Sequence, residues 1–325
     1  MRSNGVERDR GVRHCGAMSD VASSRFPFRM TPGLLALVGV GTCAVIWGTT
    51  WYAITWQLGR VDAIASITWR FLLAAVVLFA ALALLRRPMS LTRAQHMAAA
   101  GQGAFVFAVS YAFTYAAEGY VASAIVAVIF AALAFLNLLL FRLVEGQKAA
   151  PAAWMGAGLG VVGVVVLSGG ELLGARLGPQ ALTGVGFAAL AVSSSALGNW
   201  FSWRNEQAGA QVLPATAWAM AYGTAMLVVY GLLTGVEFTI DPSPGYLVSL
   251  VYLSLVGSVV AFVIYFTVAR SRGYALASYI SALTPPIAMV VSVLFEGARF
   301  GWTALLGLAL VLVGQVLLTR APKGG

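Results

Sequence analysis

Charge is what this 325-residue chain has least of. Lys, Arg, Asp and Glu make up 10% of it, against about 25% in an ordinary soluble domain. The scarcity excludes a water-soluble globule, since 60% of the residues are hydrophobic and the mean hydropathy is +0.87. Histidine is almost missing as well: His14 sits in a polar N-terminal stretch and His96 near a loop, so no metal cluster is expected. The apolar stretches contain no Asp pair, no His cluster and no Gly-x-Ser-x-Gly turn. The positioned acid, base or nucleophile of an intramembrane enzyme is therefore lacking, and no catalytic residue or cofactor is expected. Cysteine occurs only as Cys15 and Cys43, at different structural levels, which implies no disulfide framework.

What fills the chain instead is long hydrophobic runs. Between consecutive charged residues lie 30–59, 71–85, 94–117, 119–141, 149–170, 177–203, 207–236, 242–269, 273–295 and 300–319. All but one reach the ~20 residues a helix needs to cross the hydrocarbon core. The short run, 71–85, becomes 63–85 once Arg70 is admitted into the membrane. The expected fold class is thus an all-α integral membrane protein with ten transmembrane helices and Arg70 as an intramembrane charge.

A formal charge of +9 would suggest nucleic-acid binding in a soluble protein. With ten spans and the N-terminus inside, sixteen of the twenty basic residues fall on cytoplasmic segments, and only Arg60, Arg176 and Arg299 on the opposite side. The excess therefore reads as an orientation signal with both termini cytoplasmic, and nucleic acid is not an expected partner. Residues 1–30 read as a disordered basic cytoplasmic tail, in which Met18 and Met30 are alternative starts. The ratio of 18 Arg to 2 Lys hints at a GC-rich bacterial genome, which would place the chain in the cell inner membrane.

The second half repeats the first. Gly48 and Gly59 match Gly198 and Gly209, Trp69 matches Trp218, and Tyr111, Gly119 and Tyr120 match Tyr265, Gly273 and Tyr274. Glu145, Gly146, Gly156 and Gly163 match Glu296, Gly297, Gly307 and Gly314. One pair would be chance; a series in chain order, with offsets between 149 and 154, is not. Five spans per copy is an odd number, so the second copy enters the membrane from the opposite side: a 5+5 inverted repeat, whose interface commonly holds a substrate site near the midplane.

Several segments resemble a known family. WGTTWYA at 47–53, WRF at 69–71, FRLVEGQ at 141–147 and SALTPP…LFEGARF at 281–300 look like the two EamA domains of the drug/metabolite transporter superfamily. The resemblance covers 31–169 and 181–320, leaving the tail, a linker at 170–180 and a stub at 321–325. It implies a secondary transporter or exporter of small metabolites, amino acids among them, working by alternating access as a monomer or homodimer in the lipid bilayer. A lipid or lipid-precursor flippase shares this architecture. Two departures stand out: AALAFLN at 131–137 lacks the proline often found in the fourth span, and no carboxylate occurs in the first span.

For a substrate site the residues point to the first and sixth spans. Trp47, Thr49, Thr50 and Trp51 on one side, and Ser193–Ser195, Asn199, Trp200 and Trp203 on the other, either line a wet cavity or bond neighbouring helices. Arg70 either faces that cavity, attracting a carboxylate-bearing substrate or pairing with Glu118, or snorkels to the outer headgroups beside Trp69. Tyr111 and Tyr265 are further substrate candidates, although packing or an interfacial belt would also account for them, as for Asn137, Tyr115, Tyr279 and Gln315. Pro285 and Pro286, which remove backbone donors inside the ninth span, are candidates for a gate, and Glu118 for either a gate or a solvated loop carboxylate. Glu145 and Glu296 read as helix-orienting residues.

Overall fold

The computed structural model describes residues 32–121, 123–174, 179–296 and 301–320. The basic tail, the C-terminal stub and the middle of the linker lie outside the described residues. Among the described residues every element is a helix. The first half comprises α1 (Pro32–Thr55), α2 (Ala63–Leu84), α3 (Arg93–Glu118), α4 (Ser123–Phe130), α5 (Leu133–Glu145) and α6 (Pro151–Gly174). The second comprises α7 (Pro179–Gln207), α8 (Val212–Thr234), α9 (Pro244–Arg272), α10 (Tyr274–Ser278), α11 (Ile280–Glu296) and α12 (Trp302–Arg320).

Local chemistry sets the boundaries. Asp62 caps α2 by accepting the Ile64 N–H at 2.7 Å, and Thr92 with Gln95 forms a reciprocal capping box that starts α3. α5 stops at Gly146, whose φ of 64° only glycine adopts at little cost. Among the described residues seven stretches are long and apolar enough to cross a membrane: α1 from Gly33, α2, α3, α7 from Leu182, α8, α9, and Tyr274–Phe295 across α10 and α11. Leu305–Leu318 of α12 is a shorter apolar helix. The run at 119–141 forms two pieces, because the chain turns at Ala131 and Ala132 between α4 and α5. That break arises without a proline. In the second half the corresponding break falls at Tyr279, between α10 and α11, and Pro285 and Pro286 lie further on, inside α11. There they deprive the carbonyls of Ser281 and Ala282 of their helical donors.

Exchanging the halves maps the packing onto itself. α2 packs on α8 and α6 on α12, each against its own repeat partner. α1 lies on α9 and α11, and correspondingly α7 lies on α3, α4 and α5. Single contacts obey the same exchange. The indole of Trp69 donates to the Thr239 carbonyl at 3.0 Å, and that of Trp218 to the Met89 carbonyl at 2.8 Å. Backbone conformations follow suit: Gly59 and Gly209 have φ of 73° and 77°, and Arg86 (50°) stands where the second half has Gly235 (76°). α3 and α9 each contain a π-helical stretch, Gly103–Ser110 and Leu255–Val260.

Small residues set the closest approaches. On α6 a Cβ at Gly156 would lie 2.7 Å from the Gly314 carbonyl, and one at Gly163 2.8 Å from the Gly307 carbonyl, so α6 and α12 meet backbone to backbone. The larger core lies among α1, α2, α3, α8 and α9, where Phe71, Phe107, Phe262 and Phe266 are buried together. Phe71 and Phe262 each meet Phe107 edge-on or tilted, with centroids 5.1 and 4.9 Å away. This core forms one flank of the site.

Candidate functional site

Helices of both halves close around a cavity of about 100 Å³. α1 contributes Trp47, Thr50, Trp51 and Ile54, spaced i, i+3, i+4 and i+7 and hence on one helical face. Thr49 falls off that face: its hydroxyl meets Tyr252 at 2.5 Å and the Ile46 carbonyl at 2.7 Å, which makes it an α1–α9 contact and not a wall residue. α7 contributes Ser195 and Asn199. Trp200, turned about 100° from Asn199, donates to Glu145 Oε1 at 2.7 Å instead, and this tie gives Glu145 its orientation. Trp203 lies a turn further along and lines a second, larger space.

Arg70 lines the cavity with 1% of its surface exposed. It does not reach for headgroups. Nε donates to Ser258 Oγ at 2.9 Å and Nη2 to the Tyr111 hydroxyl at 3.4 Å. The guanidinium lies 4.8 Å from the Tyr111 ring centre and 5.4 Å from that of Phe71, both within cation–π range. The π-helical stretch of α9 positions Ser258 here and turns the Gly257 carbonyl to the Trp47 indole N–H, 3.1 Å away; such stretches are frequent at functional sites. Glu118 forms no ion pair with Arg70. Its carboxylate is enclosed, and neither oxygen has a hydrogen-bond partner among the described residues, unlike a solvated loop carboxylate.

A second space of about 520 Å³ opens where α5, α7 and α9 end and α10 begins, lined by Trp203, Lys148, Glu206, Arg270 and Arg272 among others. Four buried side chains from four helices stand between it and the cavity. Asn199 Nδ2 donates to the Tyr265 hydroxyl at 2.8 Å and reaches Asn137 Oδ1 at 3.4 Å. The Tyr265 hydroxyl shares a hydrogen bond with Ser278 Oγ at 2.9 Å, and Asn137 Nδ2 donates to the same oxygen. Asn199 and Tyr265 line the cavity, while Asn137 lines the larger space. On the far side Tyr115 donates to the buried Gln57 at 3.2 Å, and Arg60 pairs with Asp241 at 3.1 Å between the loops.

Of the residues singled out in the sequence, Trp47, Thr50, Trp51, Arg70, Tyr111, Asn199 and Tyr265 come together around one space. Thr49, Trp200, Trp203, Glu118, Pro285 and Pro286 do not line it. Sequence reasoning missed Ser110 and Thr114, which share a face of α3 with Tyr111, and Ser281 and Thr284 on α11. Their signal was a hydroxyl at i, i+3 or i+4 beside a candidate already in hand. Tyr279 serves packing, lying against Gly160 and Gly314 with its hydroxyl on the Val311 carbonyl.

A helical membrane chain with an internal repeat and, between its halves, a partly open and mostly apolar cavity carrying a few polar side chains has the build of a membrane transporter. The chain belongs to the EamA-like transporter family, whose pattern matches residues 33–169 and 176–320. It is 27% identical over 277 residues to the "Uncharacterized inner membrane transporter YedA" of Escherichia coli strain K12, covering 85% of this chain and 87% of that protein. The YedA proteins of E. coli O6:H1 and O157:H7 match to the same extent. A solved crystal structure superposes with a TM-score of 0.70 at 20% identity, over 87% of this chain and 95% of the other, a likeness of fold alone.

Proposed function

We propose that the protein is a secondary transporter of small metabolites, built from ten transmembrane helices in two inverted sets of five, and that it works by alternating access in the bacterial inner membrane. In this reading α4 with α5, and α10 with α11, each make one broken span, and both termini face the cytoplasm. The larger space then opens to the cytoplasm, on the side of Arg142, Lys148, Arg270 and Arg272. The observation that carries the reading is a pair of spaces bridged by one hydrogen-bonded seam, Asn137, Asn199, Tyr265 and Ser278, with Asn199 and Tyr265 on the wall of one space and Asn137 on the wall of the other. Each of its bonds is a modest buried hydrogen bond, worth about 1 kcal/mol between membrane helices, so the seam can part and re-form at ordinary temperatures.

The test is counterflow in proteoliposomes against a panel of amino acids, sugars, nucleosides and cations. Trans-accumulation of at least one class is expected; no exchange with any class, alongside a control for correct insertion, would overturn the reading. Orientation is tested separately. A reporter placed after Glu145 is expected to be accessible from the cytoplasm, and labelling from outside would invert the topology.

A further inference from the structure

We infer that the cavity receives the carboxylate, or a similarly compact anionic group, of its substrate, and that Arg70 is the residue that holds it; this rests on the transporter reading above. A guanidinium carries five N–H donors and does not deprotonate in proteins. Arg70 therefore places a positive charge at 1% exposure, and among the described residues no carboxylate lies within ion-pair distance of it; the enclosed Glu118 acts on it only from further off. Ser258 and Tyr111 take one donor each, and Nη1 has no hydrogen-bond partner among the described residues. Aromatic faces and hydroxyl dipoles soften the cost of such a charge but do not neutralise it. The wall of the cavity has a second orphan, the Trp51 indole N–H. Both unpartnered groups are donors, so the complement they call for is an acceptor, and beside a guanidinium an anionic one.

Two further observations point the same way. The position equivalent to Arg70 in the second repeat is Ala219. A structural duty common to both halves would have kept the charge in both, whereas a ligand anchor needs it once. The larger space is lined by Lys148, Arg270 and Arg272 against Glu206 alone, and a cleft of one predominant sign concentrates counter-charged solutes at its mouth. The cavity of about 100 Å³ admits an acid group at Arg70, with Trp47 and Phe262 on its wall for an apolar part.

The experiment compares matched probes on the full-length protein in detergent by thermal shift: leucine against leucinamide and isoamylamine, and phenylacetate against phenylacetamide. Acids are expected to raise the melting temperature and their amides and amine not to. Arg70→Gln is expected to weaken acid binding on the order of tenfold or more, the usual scale of a charged hydrogen bond, with Arg70→Lys between. An amide or amine that binds as well as its acid, no shift with any acid, or unchanged acid affinity in a folded Arg70→Gln would each overturn the inference. If Arg70→Gln does not fold, the matched pairs on the unaltered protein decide. Acid binding through Arg70 without counterflow would leave the anion site standing and remove the transporter reading. Counterflow of neutral or cationic solutes alone, indifferent to Arg70, would do the reverse.

Discussion

Arg70 stands over Gly257: a Cβ on that glycine would lie 3.4 Å from the guanidinium Nη2. The repeat-equivalent pair is Ala219 and Gly103, offset by 149 and 154 residues, and there the glycine is pressed directly onto the Ala219 carbonyl. One contact of the pseudo-symmetric pair is backbone on backbone; the other is filled by side chains, the Thr50 methyl and the Arg70 guanidinium. Both of those side chains line the cavity.

The seam between the two spaces is expected to hold the path shut in proportion to its hydrogen bonds. Tyr265→Phe removes the hydroxyl that joins Asn199 to Ser278, at about 1 kcal/mol, or roughly fivefold in the population of the parted state. A cysteine placed at Ser281, on the cavity wall, should then react about that much faster with a maleimide reaching it through the larger space. Equal rates would show that the seam does not limit access.

Arg86 adopts a φ of 50°, the one positive value outside glycine among the described residues, where its repeat partner is Gly235. Left-handed backbone costs a side-chain-bearing residue ~1–2 kcal/mol, partly offset in a glycine variant by greater freedom of the unfolded chain. Arg86→Gly is expected to raise stability by about 0.5–1 kcal/mol, read as a higher melting temperature in detergent. A fall would mean that the Arg86 side chain does more than the backbone argument allows.

Two glycines of α6 should respond in opposite directions. A methyl at Gly163 would meet the backbone of α12 at 2.8 Å, whereas one at Gly158 meets nothing within 4 Å. Gly163→Ala is expected to lose about 1–3 kcal/mol by overpacking, and Gly158→Ala to gain about 0.5–1 kcal/mol from helix propensity. Thermal melts of both variants check the contrast; similar shifts would refute the tight α6–α12 contact.

Asp241 governs the acid response of the loops that Arg60 and Ser243 occupy. The Ser243 backbone N–H, 2.8 Å away, and the Arg60 guanidinium hold its carboxyl below its ordinary value. A depressed folded-state value means stability that is present above the ordinary carboxylate range and is lost as pH falls through the depressed value. Asp241→Asn should therefore lower the melting temperature slightly at neutral pH and remove the matching part of its decline below about pH 4. An unchanged acid limb would exclude Asp241 as its source.

Much of this was legible in the residues. The hydrophobic runs located the helices, and the repeat marked which of them correspond. Helical period alone separates Trp47, Thr50, Trp51 and Ile54 from Thr49. What could not be read was anything decided between distant segments. The destination of Arg70 depended on a π-helical stretch that presents Ser258, and π-turns carry no composition signal. The break at Ala131 and Ala132 has no proline to announce it. Asn137 and Ser278 look like ordinary packing polars until Tyr265 and Asn199 are brought beside them. The prolines at 285 and 286 attracted notice as helix breakers, yet the chain breaks earlier, at Tyr279.

The glycine contact between α6 and α12 limits what the halves can do. These helices belong to different repeats yet are locked together at Gly156, Gly163, Gly307 and Gly314. Two halves joined along one edge can turn about it but cannot part there. Any exchange between inward and outward forms has to pivot on that spine or be taken up by helices bending beside it.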